Sequence, residues 1–361
     1  MNKLYTIALA ILSVAAFAQD GSPASPYYDG FNFEQTGTAL RSALANKITT
    51  THVNELSYTP EVWNALKIVD RDPDFANYVL LLYGYTDNVC PSSPSTDSQH
   101  RRRDRDSNGG SPSCEWNREH VFPQSLGNPD LGQVGAGADA HHLRACDVDR
   151  NGQRSNKLFT SGSGNSGDSG SGWYPGDEWK GDVARILMYM YLRYDTQCLP
   201  TSAVMGGTIA SDPNMPLLLL QWNAEDPVTE YEDTRNTYLG NASNTYGQGN
   251  RNPFIDNPYL ATQIWGGPVA QDRWTTATTA DFFSAQLSVY PNPTSNQEIT
   301  IYSETELEEI QLINLNGQLI QYIQKPEAAN DTYTLENLAQ GFYILRMTSG
   351  EHTATQKIIV N

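Results

Sequence analysis

Positive charge is scarce in this chain: 23 Lys and Arg stand against 41 Asp and Glu, for a net charge of −18. A protein that only binds nucleic acid would carry a basic footprint, so that class is disfavoured. Cysteine is scarce too, with four in 361 residues and no Cys-x-x-Cys pair, which removes the usual ligand spacing of structural zinc. There is no His-Glu-x-x-His run, so the helix that a zinc peptidase needs is missing. Beyond the first residues no apolar run approaches the roughly 20 residues that span a bilayer, and stable membrane insertion is not expected.

What is present begins with an address. Lys3, an apolar run over residues 4–17 and Ala16-Phe17-Ala18 before Gln19 form the pattern of a cleaved secretory signal over residues 1–18. In an exported chain an even number of cysteines suggests disulfides, and four cysteines allow three pairings. Cys90 and Cys114 bracket a polar stretch, residues 92–113, with no apolar periodicity. The expected pairs are therefore Cys90–Cys114, pinning the entry to the strand that follows, and Cys146–Cys198. The few basic residues are also unevenly spread. Residues 100–195 hold 12 of the 23 Lys and Arg and 13 of the 41 Asp and Glu. A nearly neutral segment inside an acidic periphery suits an enzyme that must release an anionic product better than a tight binder.

The most informative stretch is residues 114–157. Trp116-Asn117-Arg118-Glu119-His120 opens it, a turn rich in Gly, Asn and Pro follows at 128–138, then Asp139-Ala140-His141-His142-Leu143, and Arg154-Ser155-Asn156 closes it. Histidine is the side chain best suited to accept a proton near neutral pH. Glu119 and Asn156 offer oxygen ligands to a hard divalent cation while leaving most of its positions to water and phosphate. That combination is what metal-assisted phosphodiester hydrolysis requires. His141 and His142 read as supporting groups, because the ligand set of a hard cation is oxygen. An isolated Glu-His pair is usually a solvated or satisfied one, so the weight lies in the order of the segments around it.

In that order, Asn117-Arg118-Glu119-His120, His141-His142-Leu143, Arg154-Ser155-Asn156, Lys180-Gly181-Asp182-Val183-Ala184-Arg185 and Arg251-Asn252-Pro253-Phe254-Ile255-Asp256 resemble the bacterial endonuclease I family of secreted and periplasmic nucleases. The resemblance runs from about residue 33 to residue 265. It implies a ββα-metal finger with His120 as general base and Glu119 and Asn156 as ligands of one Mg2+, with Mn2+ or Ca2+ as alternatives. Asn117, His141 and His142 would support them. DNA is the implied substrate, RNA a second one, and 5′-phosphate ends the product. Some relatives place an arginine between the two motifs to hold the scissile phosphate, but no Arg or Lys lies between His120 and Arg144 here. Arg150 and Arg154, four apart on one helix face, and Arg144 are the candidate phosphate contacts. A surface adhesion or nucleic-acid-capture protein without turnover is the alternative, and the intact Glu119, His120 and Asn156 disfavour it.

Apolar spacing predicts helices over 39–48 and 60–69, the second capped by Thr59, and a buried strand over 78–83. Arg101-Arg102-Arg103 falls in the polar loop, as a phosphate grip or a solvated insertion. Neighbours on a strand point to opposite faces, so Glu119 and His120 reach one cleft only if the strand 114–122 bends or ends, and Pro123 marks a place for either. A second strand is expected over 140–145 and a helix over 147–158, with Arg150 and Arg154 on one face. Residues 161–172 read as a Gly/Ser linker. Asp182 is the expected cap of a core helix bearing Val183, Ile186, Leu187, Met190 and Tyr194, and 217–222 a further buried helix.

After a linker at 275–284 the apolar period becomes two, with a hairpin folded at Asn316-Gly317. Short strands over residues 285–361 predict a small β-sandwich. Val289-Tyr290-Pro291-Asn292-Pro293-Thr294, Gly341-Phe342-Tyr343 and Lys357-Ile358-Ile359-Val360 look like the C-terminal sorting domain of the Bacteroidetes type IX secretion system, with a carbohydrate-binding or adhesive sandwich as the alternative. The resemblance implies the secretion machinery as a partner, with residues 357–361 recognised by strand addition. The whole reads as an α+β protein: a mostly helical nuclease domain, 19–274, built around a ββα-metal motif, followed by an all-β sandwich. It is expected to be a monomer, secreted or attached to the cell surface.

Overall fold

The computed structural model describes residues 21–84, 101–111, 114–274, 287–314, 317–350 and 352–361. The signal segment, Cys90, the linker and Asn316 lie outside the described residues. The chain divides into two compact units, Met1–Trp274 and Thr275–Asn361.

In the first unit, α1 (Gly37–Thr51) buries Leu40, Leu44 and Ile48, a stripe at spacing four. A π-turn at Tyr58–Val62 leads into α2 (Trp63–Val69). Thr59 is extended at φ −135° and caps nothing; the Glu61 carboxylate instead accepts the Ser57 N–H at 2.7 Å. β1 (Tyr78–Leu80) pairs antiparallel with β2 (Arg102–Asp104). Part of the expected polar loop is therefore a buried strand. Arg103 Nη2 meets Asp147 at 2.6 Å, and Arg102 pairs with Asp72. These carboxylates, distant in sequence, are what allow two arginines to be interior, so for Arg102 and Arg103 both the phosphate-grip and the solvated-insertion readings are corrected.

β3 (Trp116–His120) pairs antiparallel with β4 (Leu143–Asp147), and α3 (Val148–Arg154) follows at once. Asp147 starts that helix by accepting the Arg150 N–H at 3.0 Å. The helix ends at Arg154, four residues short of expectation, where Ser155 turns to φ 50°. The stretch read as a Gly/Ser linker contains a hairpin, β5 (Gly167–Ser169) with β6 (Gly172–Tyr174), whose turn uses Gly170 at φ 59°. α4 (Lys180–Tyr194) begins two residues before Asp182. Asp182 is thus inside the helix, buried, and receives Arg144 Nη1 at 3.0 Å rather than acting as a cap. Then come β7 (Thr208–Ile209), β8 (Asp212–Pro216), α5 (Leu217–Glu225), α6 (Glu230–Gly240), α7 (Pro253–Asp256) and α8 (Tyr259–Trp265). α6 opens with a capping box of Thr229 and Glu232.

Two apolar clusters flank β4. Cys146 belongs to the larger, around α1, α4, α5 and α8, and Ala145 to the smaller, with Leu66, Val79, Leu81 and Trp116. Alternation along the strand places these neighbours in different cores, so the β3–β4 pair is clamped from both sides. Cys146 and Cys198 are free and buried. The expected Cys146–Cys198 disulfide is absent: Cys146 Sγ donates to Leu82 O at 3.3 Å, and Cys198 closes the turn Asp195–Cys198 after α4. Cys114 is disulfide-bonded.

The second unit comprises β9 (Leu287–Tyr290), β10 (Ile299–Ser303), β11 (Glu309–Asn314), β12 (Leu319–Gln324), β13 (Thr332–Leu335), β14 (Gly341–Ser349) and β15 (His352–Val360). Among the described residues they form two sheets, ordered β13-β10-β9 and β12-β11-β14-β15. Ile299 and Ile301 from one, and Ile310, Leu312, Leu345 and Ile358 from the other, share one core. The end of β15 is not an open edge, since Thr294 N donates to Ile359 O at 2.9 Å and Asn361 N to Thr294 O at 2.8 Å.

Candidate active site

Consecutive residues of β3 supply two different environments. Glu119 is 2% exposed. Its Oε1 accepts the Tyr83 hydroxyl at 2.8 Å and lies 3.0 Å from Arg154 Nη1. Burial raises its pKa, and the Arg154 charge and the Tyr83 hydrogen bond pull it back. Its Oε2 accepts no hydrogen bond among the described residues, leaving that oxygen for another positive partner.

His120 takes other neighbours. Its Nε2 lies 3.0 Å from Gly137 O. A carbonyl only accepts, so Nε2 carries the proton and Nδ1 holds the free lone pair. The ring stacks on Tyr58 at 5.5 Å and meets the His142 ring at 5.4 Å. Burial pushes its pKa down to about 4, so the imidazole is neutral at pH 7. Of the bend or strand end expected near Pro123, no bend occurs within the ladder, where Glu119 and His120 face Arg144 and Leu143 of β4 in unbroken register, and the strand ends at His120.

The carbonyl that orients His120 comes from the glycine-rich turn Gly135–Ala138. A Cβ on Gly137 would lie 2.0 Å from Gly132 O, so only glycine fits there. The preceding carbonyl, Ala136 O, receives His142 Nε2 at 2.8 Å. Two successive carbonyls therefore aim two imidazoles, and His142 supports His120 from inside the protein. His141 and His142 precede β4 instead of lying on it, because the Asp139 carboxylate takes the His141 N–H at 2.9 Å and turns the chain. His141 Nε2 meets Asn250 O at 2.8 Å. Burial holds His141 at about 4 and His142 at about 3.

Asn117 fastens the helix to the strand by accepting Asn151 Nδ2 at 2.8 Å. Arg154 does the same more firmly, donating to His120 O at 3.1 Å and Val121 O at 2.9 Å. At 1% exposure it is a structural bolt, and its assignment to a substrate phosphate is corrected. Arg144, also 1% exposed, donates to Asp182 and to the Tyr231 hydroxyl at 3.0 Å each, so it too is turned inward, away from any substrate. Arg150 is half-buried, donating to Gln153 at 2.9 Å and to Ser166 O at 2.8 Å. Asn156 is exposed, two residues beyond α3.

No cluster of three His, Cys, Asp or Glu side chains converges among the described residues. The available donors are instead one buried carboxylate with an unengaged oxygen and one exposed amide. Such a set suits a hard cation held through few protein ligands and not a thiolate- or imidazole-bound metal. Sequence reading missed three contributors: Tyr58, Tyr83 and Gly137. Only Gly137 left a signal, as one of the glycines in the turn between the motifs.

The family profile for endonuclease I matches residues 36–259. The chain belongs to the endonuclease I family. A second profile, that of the secretion system C-terminal sorting domain, matches residues 288–361. The chain is 38% identical over 267 residues to an extracellular ribonuclease of Bacillus subtilis (strain 168), covering 71% of this chain and 84% of that one. It is 41% identical over 242 residues to an extracellular ribonuclease of Bacillus amyloliquefaciens, covering 64% of this chain and 75% of that one. Among solved structures, PorZ, a surface component of the type-IX secretion system of Porphyromonas gingivalis, aligns with 23% of this chain and 12% of its own at 13% identity and TM-score 0.20, too slight a likeness to bear on the fold. The nuclease is a hydrolase acting on nucleic acid, and its sorting domain makes it a secreted or cell-surface protein. No helix of the described residues is long and apolar enough to cross a membrane.

Proposed function

We propose that the nuclease is a metal-dependent, sequence-nonspecific endonuclease that cleaves RNA as well as DNA to 5′-phosphate ends, with β3, β4 and α3 as its ββα-metal motif. The observation that carries this reading is the tautomer of His120. With Nε2–H donated to Gly137 O, the neutral ring presents Nδ1 as an acceptor, and a water beside it is deprotonated as it attacks phosphorus. The low pKa of the ring rises when an anionic phosphodiester arrives, which moves the base towards the operating pH. Tyr58 and the Gly137 carbonyl hold the ring, with His142 packed beside it, so that orientation is not lost on each turnover.

Glu119 Oε2 and Asn156 would hold a Mg2+-type cation, which when bound supplies Lewis-acid stabilisation of the phosphate and the leaving oxygen. Tyr83 and Arg154 keep the Glu119 carboxylate fixed from its other oxygen. RNA enters the proposal because two relatives near 40% identity are named as ribonucleases. We also assign the Cys114 disulfide to Cys90, to be checked by peptide mapping without reductant.

The test is incubation of the purified protein with plasmid DNA and with RNA, with magnesium and with a chelator, alongside His120→Ala. Loss of general-base catalysis lowers kcat about 100 to 10,000-fold. Wild-type turnover by His120→Ala, or undiminished cleavage in chelator, refutes the reading.

A further inference from the structure

We propose that Arg118 is the arginine that grips the substrate phosphate beside His120. On a strand, residues 116, 118 and 120 fall on one face. The segment Tyr58–Val62 and the start of α2 lay two rings along that face. Trp63 meets Trp116 at 5.1 Å, the Arg118 guanidinium carbon lies 4.2 Å from the Trp63 centroid and 3.5 Å from that of Tyr58, and Tyr58 stacks on His120. The guanidinium and the imidazole therefore share one tyrosine ring. Cation–π contact and the bonds from Nη1 to Tyr58 O and to Thr59 Oγ1, the latter at 3.1 Å, fix the side chain in place.

Arg118 combines its place beside His120 with the lack of an anionic partner. Arg103, Arg144, Arg154, Arg185 and Arg235 each hold a buried carboxylate. Arg118 is half-buried and pairs with no carboxylate among the described residues. Its Nε is buried without an acceptor, and its Nη2 donates to nothing among the described residues. Both N–H groups lie in the guanidinium plane along one edge, and of the two, Nη2 is the donor left to meet an oxygen of a phosphate.

Position and elimination agree. Arg144 and Arg154 are spent internally, and no Arg or Lys lies between His120 and Arg144 in the sequence. Arg118 thus supplies, from the opening strand, the cation that would otherwise come from the segment between the motifs.

The inference rests on the proposed nuclease centre, so the experiment separates the two. Cleavage of labelled RNA and DNA oligonucleotides by the full chain is measured across salt concentrations for wild type, Arg118→Met and Arg118→Lys. Equilibrium binding of the same oligonucleotides is measured in chelator on a His120→Ala background. Loss of one phosphate contact should raise KM about tenfold in Arg118→Met and reduce the slope of log affinity against log salt by about one. Arg118→Lys should keep the slope and recover part of the KM, and the pH profile of kcat should stay where it was. Unchanged slope and KM in Arg118→Met would overturn the proposal. So would a fall in kcat with a moved pH profile and an unchanged slope, because that pattern marks packing of Tyr58 against His120 alone. Wild-type turnover by His120→Ala would instead sink the nuclease-centre reading, leaving the binding slopes to decide Arg118.

Discussion

Replacing Asp70 with asparagine tests how the second strand of the site is held. Asp70 is fully buried and its side chain joins β4 to α6. Its Oδ2 accepts the Ala145 N–H of β4 at 2.6 Å. Its Oδ1 accepts the Tyr231 hydroxyl at 3.0 Å and Arg235 Nη1, both from α6, and lies 3.4 Å from Arg144 Nε. Arg235 in turn donates to Ala140 O and, at 2.6 Å, to Leu143 O, the residue opposite His120. Both oxygens of Asp70 face donors, so whichever way an asparagine amide is turned, its NH2 meets another donor. Arg144 keeps Asp182, but Arg235 is left with carbonyls alone. Breaking a buried pair from one side costs about 3–5 kcal/mol. For a unit of this size that is a fall in Tm of roughly 10 °C. Urea denaturation with an unchanged m-value, read together with a melting curve, measures it. A loss below about 1 kcal/mol would refute the claim that this carboxylate holds β4 against α6.

Other expectations follow from the same geometry. Asn156→Ala should raise the magnesium concentration for half-maximal rate without lowering stability, since Asn156 is exposed; Glu119→Gln should do so while also unsettling Arg154, and an identical titration in both variants would move the cation elsewhere. His141 and His142, held at about 4 and about 3, should show no imidazole titration in NMR spectra between pH 7 and pH 5, and a midpoint near 6.5 for either would contradict their burial. Because their folded pKa values lie below the unfolded value, the unfolded chain binds protons first as pH falls, and each histidine removes about 2 kcal/mol of stability by pH 5. Asp182, raised by burial to about 7, works in the opposite direction, which is why the check is residue-specific. Deletion after Trp274 should leave a folded, active nuclease that is no longer delivered outside the cell; loss of specific activity by a folded truncation would make the sorting domain part of the enzyme.

The sequence by itself determined what is local. The mixed helix and strand content, the apolar stripe of α4 and the period-two C-terminal unit were legible because backbone periodicity is written in neighbouring residues. So was the order of strand, turn, strand and helix that carries Glu119 and His120, since glycine-rich turns and caps act over a few positions. Only the tertiary structure decided which charges are interior and paired. Arg103, Arg144 and Arg154 look in sequence like any other arginine, yet carboxylates tens of residues away make them interior, while Arg118 is left without one. Cys146 and Cys198 satisfy the arithmetic of a disulfide but lie free in the core. The ring that steadies His120 comes from Tyr58 and the carbonyl that sets its tautomer from Gly137, contacts that periodicity cannot encode because they form only when distant segments pack. Charge and hydrogen-bonding capacity belong to a residue type; burial and partner belong to the fold, and the pKa and reach of each group follow from the latter.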